Sequence, residues 1–125
     1  MPTWTYGQKT GSLRGSAVGV IAHGYAGAGV GKNNPDMDAV PNIGPLPRGK
    51  YTIGPPYDSS HSPYTLRLTP DPKNDMHGRA GFLIHGDSIH NPGTASQGCI
   101  ILPRSIRQEI WESGDHDLQV VHTDV

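Results

Sequence analysis

Glycine and proline cut this chain into short apolar runs, and that punctuation constrains its fold more than any other feature. Seventeen Gly and twelve Pro take 29 of the 125 positions, and they fall between runs such as 17–22 and 81–84 with no repeat or biased tract. In a helix interior Gly costs about 1 kcal/mol and Pro about 3 kcal/mol relative to Ala, so few stretches can sustain a long helix. Short runs rich in β-branched residues between turn formers indicate a mostly β domain with many turns. The length is that of one domain, so residues 1–125 are expected to share one core and one site.

Ten Lys and Arg stand against eleven Asp and Glu, a formal charge of −1. That balance gives no electrostatic footprint for a nucleic-acid or polyanion partner. No run approaches the roughly 20 apolar residues of a membrane helix, so no membrane partner is expected. The opening Met1-Pro2-Thr3-Trp4-Thr5-Tyr6 has neither the basic region nor the apolar stretch of a secretory signal, and no such signal is expected in this chain.

Residues 4–6 and 12–14, joined by a turn between Gly7 and Gly11, read as a hairpin, and residues 17–22 as a buried strand. A glycine-rich loop follows from Gly24 to Pro35. Its Gly31-Lys32 leads into Asn33, where a phosphate-binding loop requires Ser or Thr, so nucleotide binding is excluded. Residues 50–53 and 64–69 alternate as strands, the second with Leu66 and Leu68 on one face and Thr65, Arg67 and Thr69 on the other. Apolar runs at 81–84 and 99–102 add two more. After Pro103 the spacing of Ile106, Ile110 and Trp111 predicts one short helix ending at Gly114, and residues 118–121 close the pattern as a strand.

The chemistry concentrates between His85 and Cys99. Cys99 is the one cysteine, so no intrachain disulfide can form; the thiol is either a small core residue packed with Ile100-Ile101-Leu102 or a nucleophile. A thiol cleaves an amide when a base can take its proton and backbone donors face the developing oxyanion. His85 leaves an apolar run that can fix its ring. Gly98 permits a tight bend and a close approach of substrate, and the N–H groups of Gly98 and Cys99 are candidate oxyanion donors.

His85-Gly86, a loop of about a dozen residues, then Ser96-Gln97-Gly98-Cys99-Ile100 resembles the signature of the L,D-transpeptidase (YkuD-like) catalytic domain. Pro47-Arg48-Gly49-Lys50-Tyr51 is similar to that family's proline-glycine lead into a strand. Trp4-Thr5-Tyr6-Gly7 with Thr10-Gly11, and the loop from Tyr25 to Gly31-Lys32-Asn33-Asn34-Pro35, resemble the type VI secretion effector branch of the family. The likeness runs from Trp4 to Val121. Gln97 stands where the larger transpeptidases usually carry His, and Ile101 where they usually carry Arg. The resemblance implies a YkuD-like β-sandwich with one short helix near the C-terminus, and an enzyme acting on peptidoglycan stem peptides without metal or other cofactor. Cys99 would attack the carbonyl of the third stem residue and His85 would take the thiol proton, giving a thioester and releasing D-alanine. Water would complete an L,D-carboxypeptidase reaction, and an amine exchange or crosslinking. The family orients its His through a backbone carbonyl; Asp87 and Ser88 are the nearest side chains for that task. Ser96 is expected to shape the loop or bind substrate.

Arg104 lies close to Cys99 in sequence and is the expected anchor for a stem-peptide carboxylate, with Arg67 and Arg79 behind it. Tyr25, His23 and Lys32 are further candidates for the cleft, Asp87 and Ser88 among them. His90 rivals His85 as base, whereas His61, His77, His116 and His122 are expected to be solvated. Read as a zinc set, His85, Asp87, His90 and Cys99 fit no H-E-x-x-H spacing. The expected biology is an antibacterial type VI effector delivered to a rival's periplasm, with an immunity protein as partner. A phage lysis enzyme and a non-catalytic peptidoglycan-binding module are the alternatives.

Overall fold

A computed structural model describes residues 3–15 and 19–123 of the protein. Among these described residues, eight strands occur in the order β1 (Trp4–Gly7), β2 (Ser12–Gly15), β3 (Gly19–His23), β4 (Gly49–Ile53), β5 (Leu66–Pro70), β6 (Leu83–His85), β7 (Ile100–Ile101) and β8 (Asp117–Val121). The helix α1 (Arg104–Glu112) lies between β7 and β8, and two short 3-10 turns, Gly29–Gly31 and Pro35–Met37, shape the glycine-rich loop. The fold is mostly β, as the punctuation requires.

All eight strands form one curled mixed sheet in the order β3-β2-β1-β8-β4-β5-β6-β7. The β1–β8 and β6–β7 pairs are parallel and the rest antiparallel. β8 lies centrally and alternates strictly: Leu118 and Val120 are buried, while Asp117 and Gln119 face out. Its inner residues meet Trp4 and Tyr6 on one side and Tyr51 and Gly49 on the other.

The two edges of the sheet approach each other. Just beyond β3, Tyr25 pairs with Ile101 of β7, its N–H donating to Ile101 O at 3.3 Å and its carbonyl accepting Ile101 N–H at 2.8 Å. Gly24 makes this seam possible, since a Cβ there would lie 2.0 Å from Ile101 O. The curled sheet encloses one core, with Tyr6, Leu13, Leu66, Ile84, Ile100 and Leu118 all fully or almost fully buried. α1 covers one end with Ile110 buried and Ile106 and Trp111 packed beside it, and Gly114 lies just past its end as expected.

Two expectations change. Of the strand read over residues 17–22, positions 17 and 18 lie outside the described residues, and β3 is a half-exposed edge, with Val20 43% exposed. A register shift between Leu13 and Arg14 accompanies that edge. β5 starts at Leu66 and takes in Pro70, tolerated because it lies at the strand's end, beyond the Arg67–Leu83 pair with β6.

Candidate active site

The parallel pair β6–β7 carries the site. Ile84 pairs with Ile100 and His85 with Ile101, so Cys99 falls one place before β7, on the same face as His85 by the two-residue period of a strand. The opposite face sends Ile84 and Ile100 into the core. Cys99 and His85 accordingly line one cleft of about 470 Å³, together with Arg79, Phe82, His61 and Gln97. Cys99 is half-buried and His85 is 2% exposed.

His85 is oriented by backbone. Its Nδ1 lies 2.8 Å from Gly86 O, and because a carbonyl only accepts, Nδ1 carries the hydrogen and Nε2 the lone pair. Burial holds the His85 imidazolium below its ordinary range; His61 and Arg107 push the same way, and the Gly86 carbonyl and Asp87 oppose them. Burial pushes the Cys99 thiol up, against the backbone N–H groups of Leu83 and Cys99 and the Arg79 guanidinium. The resting pair is therefore a thiol and a neutral imidazole. Such a pair reacts by general-base transfer rather than from a preformed thiolate.

Three atoms meet on Ser96 Oγ. It donates to Cys99 O at 2.6 Å and accepts the N–H groups of Gly27 at 2.9 Å and Gly98 at 3.0 Å. Ser96 thus shapes the loop, and the Gly98 N–H expected to face an oxyanion is already engaged. Gly98 has φ of 141°, and a Cβ there would lie 2.6 Å from Arg79 Nη2 and 2.8 Å from Phe82 Cε1. Arg79 is itself 8% exposed, with Nη1 donating to Asp38 O and Pro45 O and Nη2 to Gly44 O and Gln97 O at 2.7–3.2 Å. It is a clamp between the proline-glycine segment and the Cys99 loop, where the sequence offered it as a substrate anchor.

Other candidates are drawn away from the thiol. Tyr25 Oη donates to Asp87 Oδ1 at 2.6 Å and accepts Ala95 N–H at 3.0 Å. Asp87 also accepts the N–H groups of Ser88 and Gly93, and Lys32 Nζ donates to Gly93 O while lying 4.6 Å over the Tyr25 ring. Tyr25, Lys32 and Asp87 thus form a strap on the loop between β6 and β7. Ser88 Oγ accepts Asn91 N–H within that loop. Asp87 and Ser88 do not orient His85, because the Gly86 carbonyl is closer to hand. His23 and Arg104 line a second groove with Tyr25 and Asp87, apart from the Cys99 cleft, and Arg104 lies 5.7 Å over the Tyr64 ring. His90 is exposed in the loop and is not among the cleft residues. Among the described residues no group of three or more His, Cys, Asp or Glu is placed to hold a metal ion.

Sequence reasoning missed two contacts. His61 is exposed, as the sequence reading had it, and its ring also stacks on that of His85. Arg107, on α1, is 3% exposed and donates to Leu102 O, Pro63 O and Tyr64 O, pinning the loop before β5 to the end of β7. Its place at i+1 from Ile106 gave no warning of burial. Nothing in the sequence separates His61 from the other six histidines.

A histidine ending β6 and a cysteine just before the adjacent parallel strand β7 share one cleft of a curled β sheet. The sequence matches the Tlde1 domain family over residues 21–123, and the chain belongs to that family, one of type VI secretion effector domains. Its fold is similar to that of Bd1075 from Bdellovibrio bacteriovorus, with a TM-score of 0.58 and 15% identity over 98% of this chain and 48% of that one. The chain thus spans about half the length of that protein, and the likeness is one of fold. No curated protein sequence matches the chain. No helix among the described residues is long and apolar enough to cross a membrane.

Proposed function

We propose that this domain is a cysteine enzyme of peptidoglycan, an L,D-carboxypeptidase or L,D-transpeptidase acting on stem tetrapeptides through a thioester. The observation that carries this reading is the shared face of Cys99 and His85, with the base fixed through Nδ1 by Gly86 O. As Cys99 Sγ attacks the carbonyl carbon of the third stem residue, its proton passes to His85 Nε2. The N–H groups of Leu83 and Cys99 favour the thiolate as the sulfur gives up its proton. Collapse of the tetrahedral intermediate breaks the C–N bond, and His85 returns the proton to the departing D-alanine amine. Water, deprotonated by His85, then cleaves the thioester and regenerates the thiol; a D-amino acid amine in its place yields the exchanged peptide.

Arg104 lies in a separate groove, and the Arg79 guanidinium that borders the cleft is engaged by backbone carbonyls. Family membership favours a delivered effector over a phage lysis enzyme, and the periplasm of a target bacterium is where such a substrate lies. An immunity protein is the partner that self-protection would require. Mass spectrometry of purified muropeptides incubated with the protein, with and without D-methionine, tests the reaction. Loss of D-alanine with wild type but not Cys99→Ala is the expected result, and a D-methionine adduct adds transpeptidation. Unchanged muropeptides with folded wild-type protein would leave only a peptidoglycan-binding module.

A further inference from the structure

Two of the seven histidines face each other in the cleft. The His61 ring lies 4.6 Å from that of His85, inclined by 20°. The loop carrying His61 is built to hold that position. Ser59 Oγ accepts the N–H groups of His61 at 3.1 Å and Ser62 at 3.2 Å, and lies 2.7 Å from Thr65 Oγ1. Ser62 Oγ in turn accepts Gly86 N–H at 2.9 Å, and Gly86 O is the atom that fixes His85 Nδ1. Arg107 holds the far end of the same loop through Pro63 O and Tyr64 O. One loop thus reaches the base twice, through a ring and through its neighbouring peptide.

We propose that His61 is a positioning residue for His85: its stacked ring fixes the plane of the base, and two rings so close cannot readily carry charge together. This rests on the reading of Cys99 and His85 as the reacting pair. Two imidazolium rings at 4.6 Å repel, so a proton on His61 opposes one on His85. The other groups facing His85 are Arg107 from α1, which adds to that opposition, Asp87 after β6, which counters it from an exposed site, and Cys99 across the cleft. Charging both rings at once is thus disfavoured, and the neutral His85 that can take the thiol proton persists to lower pH.

Cys99 is the one thiol of the chain, so its alkylation by iodoacetamide, followed by mass spectrometry, reports the pair without any substrate. The His85 titration is read in parallel from the histidine ring signals by NMR. His61→Phe keeps a stacking plate and removes the charge. Its His85 midpoint should rise by about half a pH unit, and the acid limb of kcat/KM on muropeptides should rise with it, because the neutral base is then lost at higher pH. His61→Ala should show the same rise, with kcat on muropeptides about tenfold below that of His61→Phe at similar KM. A folded His61→Phe protein with an unmoved His85 midpoint overturns the proposal, and this comparison suffices if His61→Ala fails to fold. Alkylation indifferent to His85→Ala overturns the pair itself, a distinct failure. A change in KM alone would make His61 a substrate contact and overturn the positioning role.

Discussion

Ser96 shows how one hydroxyl organises a reactive loop. Its Oγ joins Gly27, Gly98 and Cys99, three residues that sequence separates by up to 72 positions (99 − 27). Ser96→Ala leaves two buried N–H groups without that acceptor, a loss of about 2 kcal/mol or more, and should lower kcat at least tenfold while the fold survives; thermal melts with muropeptide kinetics check this. The acid limb of kcat/KM should lie below the ordinary histidine value near 6.5, because burial lets His85 stay unprotonated to lower pH. Linkage fixes the accompanying stability change. The unfolded chain takes up a proton near 6.5 and the folded one does so only at lower pH, so stability falls across that window as pH drops and is flat above it. Urea melts between pH 5 and 7.5 would show that slope, and His85→Phe should reduce it. Cys99, His85 and the loop-shaping part of Ser96 were legible because their residue types sit in a recognisable spacing. His61 was not, because stacking depends on two loops meeting in space.

At the scale of elements, Arg79 decides whether the Cys99 loop has a wall to rest on. Its guanidinium collects carbonyls from residues 38, 44, 45 and 97, segments that no strand pairing joins. Arg79→Met should therefore cost at least about 3 kcal/mol, since several buried carbonyls lose charged donors at once. A melting temperature roughly 10 °C lower is the expected reading in a calorimeter. Arg79→Lys should recover little, because one ammonium cannot reproduce the planar fork. The strands themselves were legible from alternation, and α1 from the spacing of Ile106, Ile110 and Trp111. Their order in the sheet was not: nothing in residues 118–121 announces a central strand, since alternation reports which face is buried and not which neighbours flank it. The candidates Arg104 and His23 were misplaced for a related reason, as nearness in sequence to a strand end does not say which side of the end a side chain takes.

For the whole molecule, the seam between Tyr25 and Ile101 turns an open sheet with two edges into a nearly closed one. Gly24→Ala would drive a methyl carbon into Ile101 O and should part that seam. Hydrogen exchange at the Tyr25 and Ile101 amides should accelerate first, with a stability loss of more than about 2 kcal/mol. The central position of β8 has a temporal consequence. Among the described residues, strands β3-β2-β1 and β4-β5-β6-β7 share no ladder with each other except through β8, which follows all of them in the chain. A chain still lacking residues 117–121 holds two half-sheets with raw edges facing, and must wait for its final ladder before the core can close. Synthesis therefore completes the joined sheet late, once residues 117–121 can pair with both β1 and β4.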